Sequence, residues 1–100
     1  MPKVVWTPEA EDQLAAFASL ETAKRLFELS LGLATFPDRG RRIPELTGEA
    51  EFNILREIVL PGKAHVIYLF IPDSDEVLIL GIIPKGRIFR REVLGPRFNP

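Results

Sequence analysis

One hundred residues, 46% hydrophobic and 27% charged, describe a single globular domain, too polar for a membrane span and too apolar for a disordered chain. The absence of cysteine excludes disulfides, thiolate catalysis and cysteine-based metal sites, and the one histidine, His65, has no second imidazole with which to share a metal ion. The net charge of −1 hides a division: residues 36–42 carry three cations and one acid and residues 84–100 five cations and one acid, while the rest of the chain is acidic, a footprint for phosphate or an acidic partner or a solubilising device.

The first residues, MPKVVWTPEAE, lack the basic, apolar and small-residue zones of a signal peptide, so a cytoplasmic protein without metal, cofactor or membrane partner is expected. KVVWT, residues 3–7, reads as a short strand with Trp6 in the core. It runs into a helix start, with Thr7 as N-cap, Pro8 at the first helical position and Glu9, Glu11 and Asp12 complementing the dipole. That helix carries Leu14, Phe17 and Ala18 inward and stops near Ser19, which caps a second helix. Ala23, Leu26, Phe27, Ser30, Leu33 and Ala34 follow helical spacing and predict its inward face. Two helices with almost no linker make an antiparallel hairpin. FPDRGRRIPELTGEAEF, residues 36–52, has two prolines and two glycines and predicts a loop of about 12 to 16 residues, a length that tends to carry function.

Beyond the loop the period drops to two. NILREIVL (53–60) meets Pro61-Gly62, a type II turn pair, and returns as KAHVIYLFI (63–71); PDSD (72–75) turns into EVLILGII (76–83). The last two strands are apolar on both faces, so one face awaits the helix hairpin and the other the C-terminal segment or a partner chain. The order β-α-α-β-β-β predicts an α+β domain, a helix hairpin packed on a small twisted antiparallel sheet. The final strand ends in Pro84, Lys85, Gly86 and Arg87, a basic turn that is either a solvated strand end or an anion site on the rim of the sheet.

Few residues here can do chemistry. Arg56 sits in an apolar strand, either paired with an acid on a neighbouring strand or presenting its planar donor fork to an anion. Arg41 and Arg42 are further anion-binding candidates. His65 stands beside the Pro61-Gly62 turn, where a histidine is more often solvated or capped than catalytic. Tyr68, the only tyrosine, anchors the core by its ring and offers a hydrogen bond at its tip. Alternation sets Arg56 and Tyr68 on opposite sides of the sheet. No serine has a histidine placed to activate it, and no phosphate-binding glycine motif occurs.

Taken in order, WTPEAEDQL, FPDRGRRIPEL, LREIVLPGKAHVIYLF and EVLILGIIPKGR resemble the RelE/ParE superfamily of toxins from bacterial type II toxin–antitoxin systems, from about residue 4 to residue 91. The most specific pieces are the Pro-x-x-Gly-Arg of Pro37–Arg41, the pair Arg56-Glu57, Tyr68 in the hairpin and the basic turn after the last strand. The resemblance implies one toxin domain over residues 1–100 with a basic C-terminal segment, 84–100. It implies a cognate antitoxin in a hetero-oligomer, growth inhibition and plasmid stabilisation. Two targets follow from it: DNA gyrase for ParE-like members, and messenger RNA on the ribosome for RelE-like members. By position, Arg56 matches the superfamily's strand arginine, Tyr68 its hairpin tyrosine and Arg87 its basic position after the last strand. The sequence departs at His65, where many members have arginine, and at Pro84, where many have histidine. GEAEFN replaces a lysine pair, and no C-terminal tyrosine follows Arg87. Gyrase poisoning through Lys85, Arg87, Arg90 and Arg91 is therefore expected first. RelE-like cleavage by Arg56, His65, Tyr68, Lys85 and Arg87 is the alternative, with its general acid unassigned, and a catalytically silent antitoxin-binding remnant comes third. Whether the chain is an enzyme stays open. An antitoxin segment is expected to fold across the apolar faces of strands 63–71 and 76–83.

Overall fold

The computed structural model describes residues 1–17, 19–43 and 55–86. They form β1 (Lys3–Trp6), α1 (Pro8–Ala15), α2 (Leu20–Leu31), β2 (Arg41–Arg42), β3 (Arg56–Leu60), β4 (Ala64–Ile71) and β5 (Glu76–Pro84). Both helices start at the caps read from the sequence. The Thr7 hydroxyl accepts from the Ala10 N–H at 3.2 Å and donates to the Ile79 carbonyl at 3.0 Å, so the cap of α1 also pins the helix to β5. The Ser19 hydroxyl accepts from the Thr22 N–H at 3.2 Å. Among the described residues no helix is long and apolar enough to cross a membrane.

The α+β fold with the order β-α-α-β-β-β is the one expected, and the strands lie in the order β1-β5-β4-β3-β2. Strands β2 to β5 are antiparallel, whereas β1 runs parallel to β5, making the sheet mixed. Most of the chain separates β1 from β5, so no tight turn forces that pair antiparallel. The loop expected over 36–52 contains β2, which pairs Arg41 with Glu57 and Arg42 with Arg56. Residues 44–54, including the predicted strand start at Asn53 and Ile54, lie outside the described residues, as do Ala18 and the segment 87–100.

The sheet separates two apolar clusters. On the helix side, Ala10, Leu26 and Leu33 close over Ile58, Leu60, Val66, Tyr68, Val77, Ile79 and Ile82, with Leu14 and Phe17 packed at the margin. On the far side, Ile43, Leu55, Ile67, Leu80 and Ile83 form the second cluster. These five are buried within the chain itself.

Two expectations need correction, and a register shift adds a third observation. The inward stripe of α2 is Thr22, Leu26 and Ser30, while Phe27 is 43% exposed and stacks on Trp6 with ring centroids 6.0 Å apart. Adjacent helical positions diverge by about 100°, and here the core takes the stripe through Leu26 while Phe27 turns toward Trp6. The β3–β4 turn does use Pro61 and Gly62, with Lys63 N–H donating to Leu60 O at 3.0 Å and Gly62 at φ 74°. Pairing, however, resumes at Leu60↔Ala64, one residue later than a two-residue hairpin allows. A one-residue slip reverses the face of every side chain relative to its partner strand. Arg56 therefore stands directly opposite Tyr68, on the same face. Finally, a register shift in the β4–β5 pairing, where Ile67 faces Gly81 and Tyr68 faces Ile79, turns Ile82 to the helix side and Ile83 to the far side. The Gln13 side-chain carbonyl accepts from the Ile82 N–H there, at 2.6 Å.

Candidate functional site

The candidate residues gather where β2, β3 and β4 meet, and the pleat divides them into two groups. On the helix side, the Tyr68 hydroxyl donates to the Pro37 carbonyl at 2.8 Å and accepts from the Gly40 N–H at 2.8 Å. Arg56 Nη1 donates to the Gly40 carbonyl at 2.7 Å. The two side chains thus clamp the turn 37–40 onto the sheet. A side chain at Gly40 would collide, since its Cβ would lie 2.6 Å from the Glu57 carbonyl and from the Tyr68 ring and hydroxyl. Burial raises the Tyr68 phenol above its ordinary pKa, against the lowering effects of the Gly40 hydrogen bond and the Arg56 charge. The phenol therefore stays protonated and able to donate. Among the described residues Arg56 pairs with no carboxylate, and its Nη1 is engaged by the Gly40 carbonyl.

The far side carries a charged relay. Glu57, 5% exposed, accepts from Arg41 Nε at 2.7 Å and Nη2 at 2.6 Å through one oxygen, and its other oxygen lies 3.0 Å from His65 Nδ1. Because a carboxylate only accepts, Nδ1 is the donor in this contact. Arg41 is mostly exposed and His65 partly so. At the end of the same hairpin, the Lys85 N–H donates to the Lys63 carbonyl at 2.9 Å, which sets two exposed lysines side by side. Among the described residues no three potential metal ligands cluster.

The structure thus joins Arg41 to His65 through Glu57, and Arg56 to Tyr68 through the turn 37–40, but it keeps the two pairs on opposite faces. Arg42 is exposed on the edge strand, opposite Arg56. Lys85 is exposed at the end of β5, and Arg87, Arg90 and Arg91 lie outside the described residues. Sequence reasoning missed Glu57 as a site residue. The available signal was an acid between Leu55 and Val59 on a strand side that must be buried, since a buried carboxylate requires partners.

The sequence pattern of one family, described as the ParE toxin of the type II toxin–antitoxin system parDE, matches residues 4–89. Among solved structures, the RelBE2 toxin–antitoxin complex from Mycobacterium tuberculosis is similar at TM-score 0.70 and 18% identity, covering 86% of this chain and 93% of that one. The isolated RelE toxin of E. coli is similar at TM-score 0.67 and 11% identity, covering 88% of each chain. The intact E. coli RelBE complex gives TM-score 0.64 and 10% identity, over 87% of this chain and all of the other. At such identities the structural likeness is one of fold. No curated protein matches the sequence.

Proposed function

The chain belongs to the ParE toxin family of type II toxin–antitoxin systems, and from that premise we propose that it arrests growth by poisoning DNA gyrase when its cognate antitoxin is missing. The observation that carries this reading is the division of the candidate nuclease residues between two faces. Metal-free cleavage of RNA needs a base for the 2′-hydroxyl, cations for the phosphorane charge and an acid for the leaving oxygen, all converging on one phosphate. Arg56 and Tyr68 are engaged in the clamp on the helix side, while His65 stands on the far side with Glu57. The basic segment Lys85, Arg87, Arg90 and Arg91 is proposed to contact the target. The second reading, RelE-like cleavage of ribosome-bound messenger RNA, is favoured by the carboxylate-oriented imidazole of His65.

Expression of the chain without its antitoxin, followed by assays of gyrase supercoiling and of gyrase–DNA cleavage complexes, separates the readings. Growth arrest with trapped cleavage complexes is expected, and charge reversal at Arg87, Arg90 and Arg91 should abolish it while leaving the fold intact. Specific cuts in ribosome-bound messenger RNA that disappear on His65→Ala would replace the gyrase reading with the nuclease. Full growth on expression of an intact, antitoxin-binding chain would identify the silent remnant.

A further inference from the structure

At the β2 edge the two faces of the sheet place arginine against different partners. On the far side Arg41 stands opposite Glu57, and the two form an ion pair. One residue on, Arg42 stands opposite Arg56, and Arg56 opposite Tyr68, so these three make one row across β2, β3 and β4 on the helix side. Side chains directly opposite in an antiparallel pair lie about 5 Å apart at Cβ, and like charges so placed repel. Among the described residues neither Arg42 nor Arg56 pairs with a carboxylate. Arg56 commits Nη1 to the Gly40 carbonyl at 2.7 Å, which fixes its guanidinium, while Nε and Nη2 bond no described residue. Arg42 is exposed and Arg56 half-buried, so the row opens to solvent at the edge of the sheet. Further charge borders it. The Tyr68 phenol, raised by burial, also feels the charges of Arg56, Asp38 and Arg39, which puts a third guanidinium and one carboxylate beside the row.

We propose that Arg42 and Arg56 form a binding site for a terminal phosphate group, held between their guanidinium planes at the β2 edge on the helix side of the sheet. Each guanidinium presents a planar fork that takes two oxygens, so two neighbouring forks suit a tetrahedral group with at least three free oxygens. A carboxylate, with two oxygens, fills only one fork. Charge leads to the same class: a terminal phosphate carries close to two negative charges at neutral pH, matching the two arginines, whereas a backbone phosphodiester carries one. Inorganic phosphate and a nucleoside monophosphate share this chemistry. Without an anion the two guanidinium charges oppose each other, and with one bound the opposition becomes attraction, so the ligand and the β2–β3 pairing stabilise each other. The site lies on the face away from Glu57 and His65 and uses none of Lys85, Arg87, Arg90 and Arg91. It is therefore separate from the surface proposed to contact the target.

The test is thermal unfolding of the full chain in phosphate-free buffer, titrated with inorganic phosphate, adenosine 5′-monophosphate or dimethyl phosphate, with calorimetry for the affinities. The first two should raise the melting temperature and the diester should not. Equal affinities for the first two assign the site to phosphate itself, and tighter binding of the nucleotide assigns it to a nucleotide; either result upholds it. Phosphate also stabilises proteins by exclusion from their surface, so variants decide. Arg42→Gln, at an exposed position, should weaken phosphate binding about 10- to 100-fold, the effect of losing hydrogen bonds to a charged group. In phosphate-free buffer it should melt above the wild type, because the repulsion is gone. Arg42→Lys, which keeps the charge without the fork, should bind with intermediate affinity. Lys3→Gln, on the exposed strand at the opposite edge, should bind as the wild type does. Equal phosphate responses in the wild type and Arg42→Gln would overturn the site. So would an Arg42→Gln chain that melts below the wild type without phosphate, since an acid of the chain itself would then be the partner of Arg42.

Discussion

On the helix side of the sheet, Arg56 and Tyr68 aim at backbone; on the far side, Arg41, Glu57 and His65 aim at one another. The first group lies under the turn 37–40, where a neutral phenol and a guanidinium satisfy three backbone groups and so fix the path of the chain. The second keeps one buried carboxylate between the mostly exposed Arg41 and the partly exposed His65. Consecutive residues link the two groups. Gly40 is held from below, and Arg41, turned to the opposite face by the pleat, is thereby delivered to Glu57. The comparison teaches that residue type is a poor guide to role in this fold. Arginine serves as a structural strut on one face and as the counter-ion of a carboxylate–histidine pair on the other.

The comparison has consequences of decreasing size. The largest concerns the core that the helix side encloses: Leu26→Ala should cost about 2 to 5 kcal/mol by loss of contacts and cavity formation. Phe27→Ala, one residue on, should cost only about 1 kcal/mol, because it removes an aromatic contact at a half-exposed site. Urea denaturation measures both, and equal costs would mean that α2 is turned differently from the arrangement described. Next comes the clamp. Tyr68→Phe leaves the Pro37 carbonyl and the Gly40 N–H without their partner and should cost about 1 to 3 kcal/mol. The same hydroxyl makes stability depend on alkaline pH. A phenol whose folded pKa is raised holds its proton longer in the folded than in the unfolded chain. Its contribution is therefore complete below the unfolded value of 10.0 and declines as pH rises from there toward the folded value. Tyrosinate absorbance on the single tyrosine checks the titration, and the Phe variant should lose this part of the alkaline decline. The smallest effect belongs to the far side. Arg41→Ala removes an exposed partner of Glu57 and should change stability by no more than about 1 kcal/mol. It should still alter the imidazole NMR resonances of His65 through their shared carboxylate. Destabilisation as large as that of Tyr68→Phe would erase the distinction between the faces.

The sequence by itself determined the local elements of this protein. Thr7-Pro8 and Ser19 mark both helix starts because capping is a matter of a few adjacent residues, and the runs 53–60, 63–71 and 76–83 announce the strands found at Arg56–Leu60, Ala64–Ile71 and Glu76–Pro84. It also named Arg56, Tyr68, His65 and Arg41 as residues to watch, and the order of its motifs pointed to the toxin superfamily. Which of these residues meet was decided by the tertiary structure. Pro61-Gly62 announces a turn, but whether pairing resumes at residue 63 or 64 depends on how the whole hairpin settles on the core, and that one residue carries Tyr68 to the face of Arg56. Glu57 acquires its meaning only when β2 brings Arg41 beside it and β4 brings His65. Phe27 likewise follows helical periodicity, yet the core has room for the stripe through Leu26 alone and leaves Phe27 to stack on Trp6. Periodicity and capping act over a few residues, whereas register, burial and partnership are set by the packing of segments far apart in the chain.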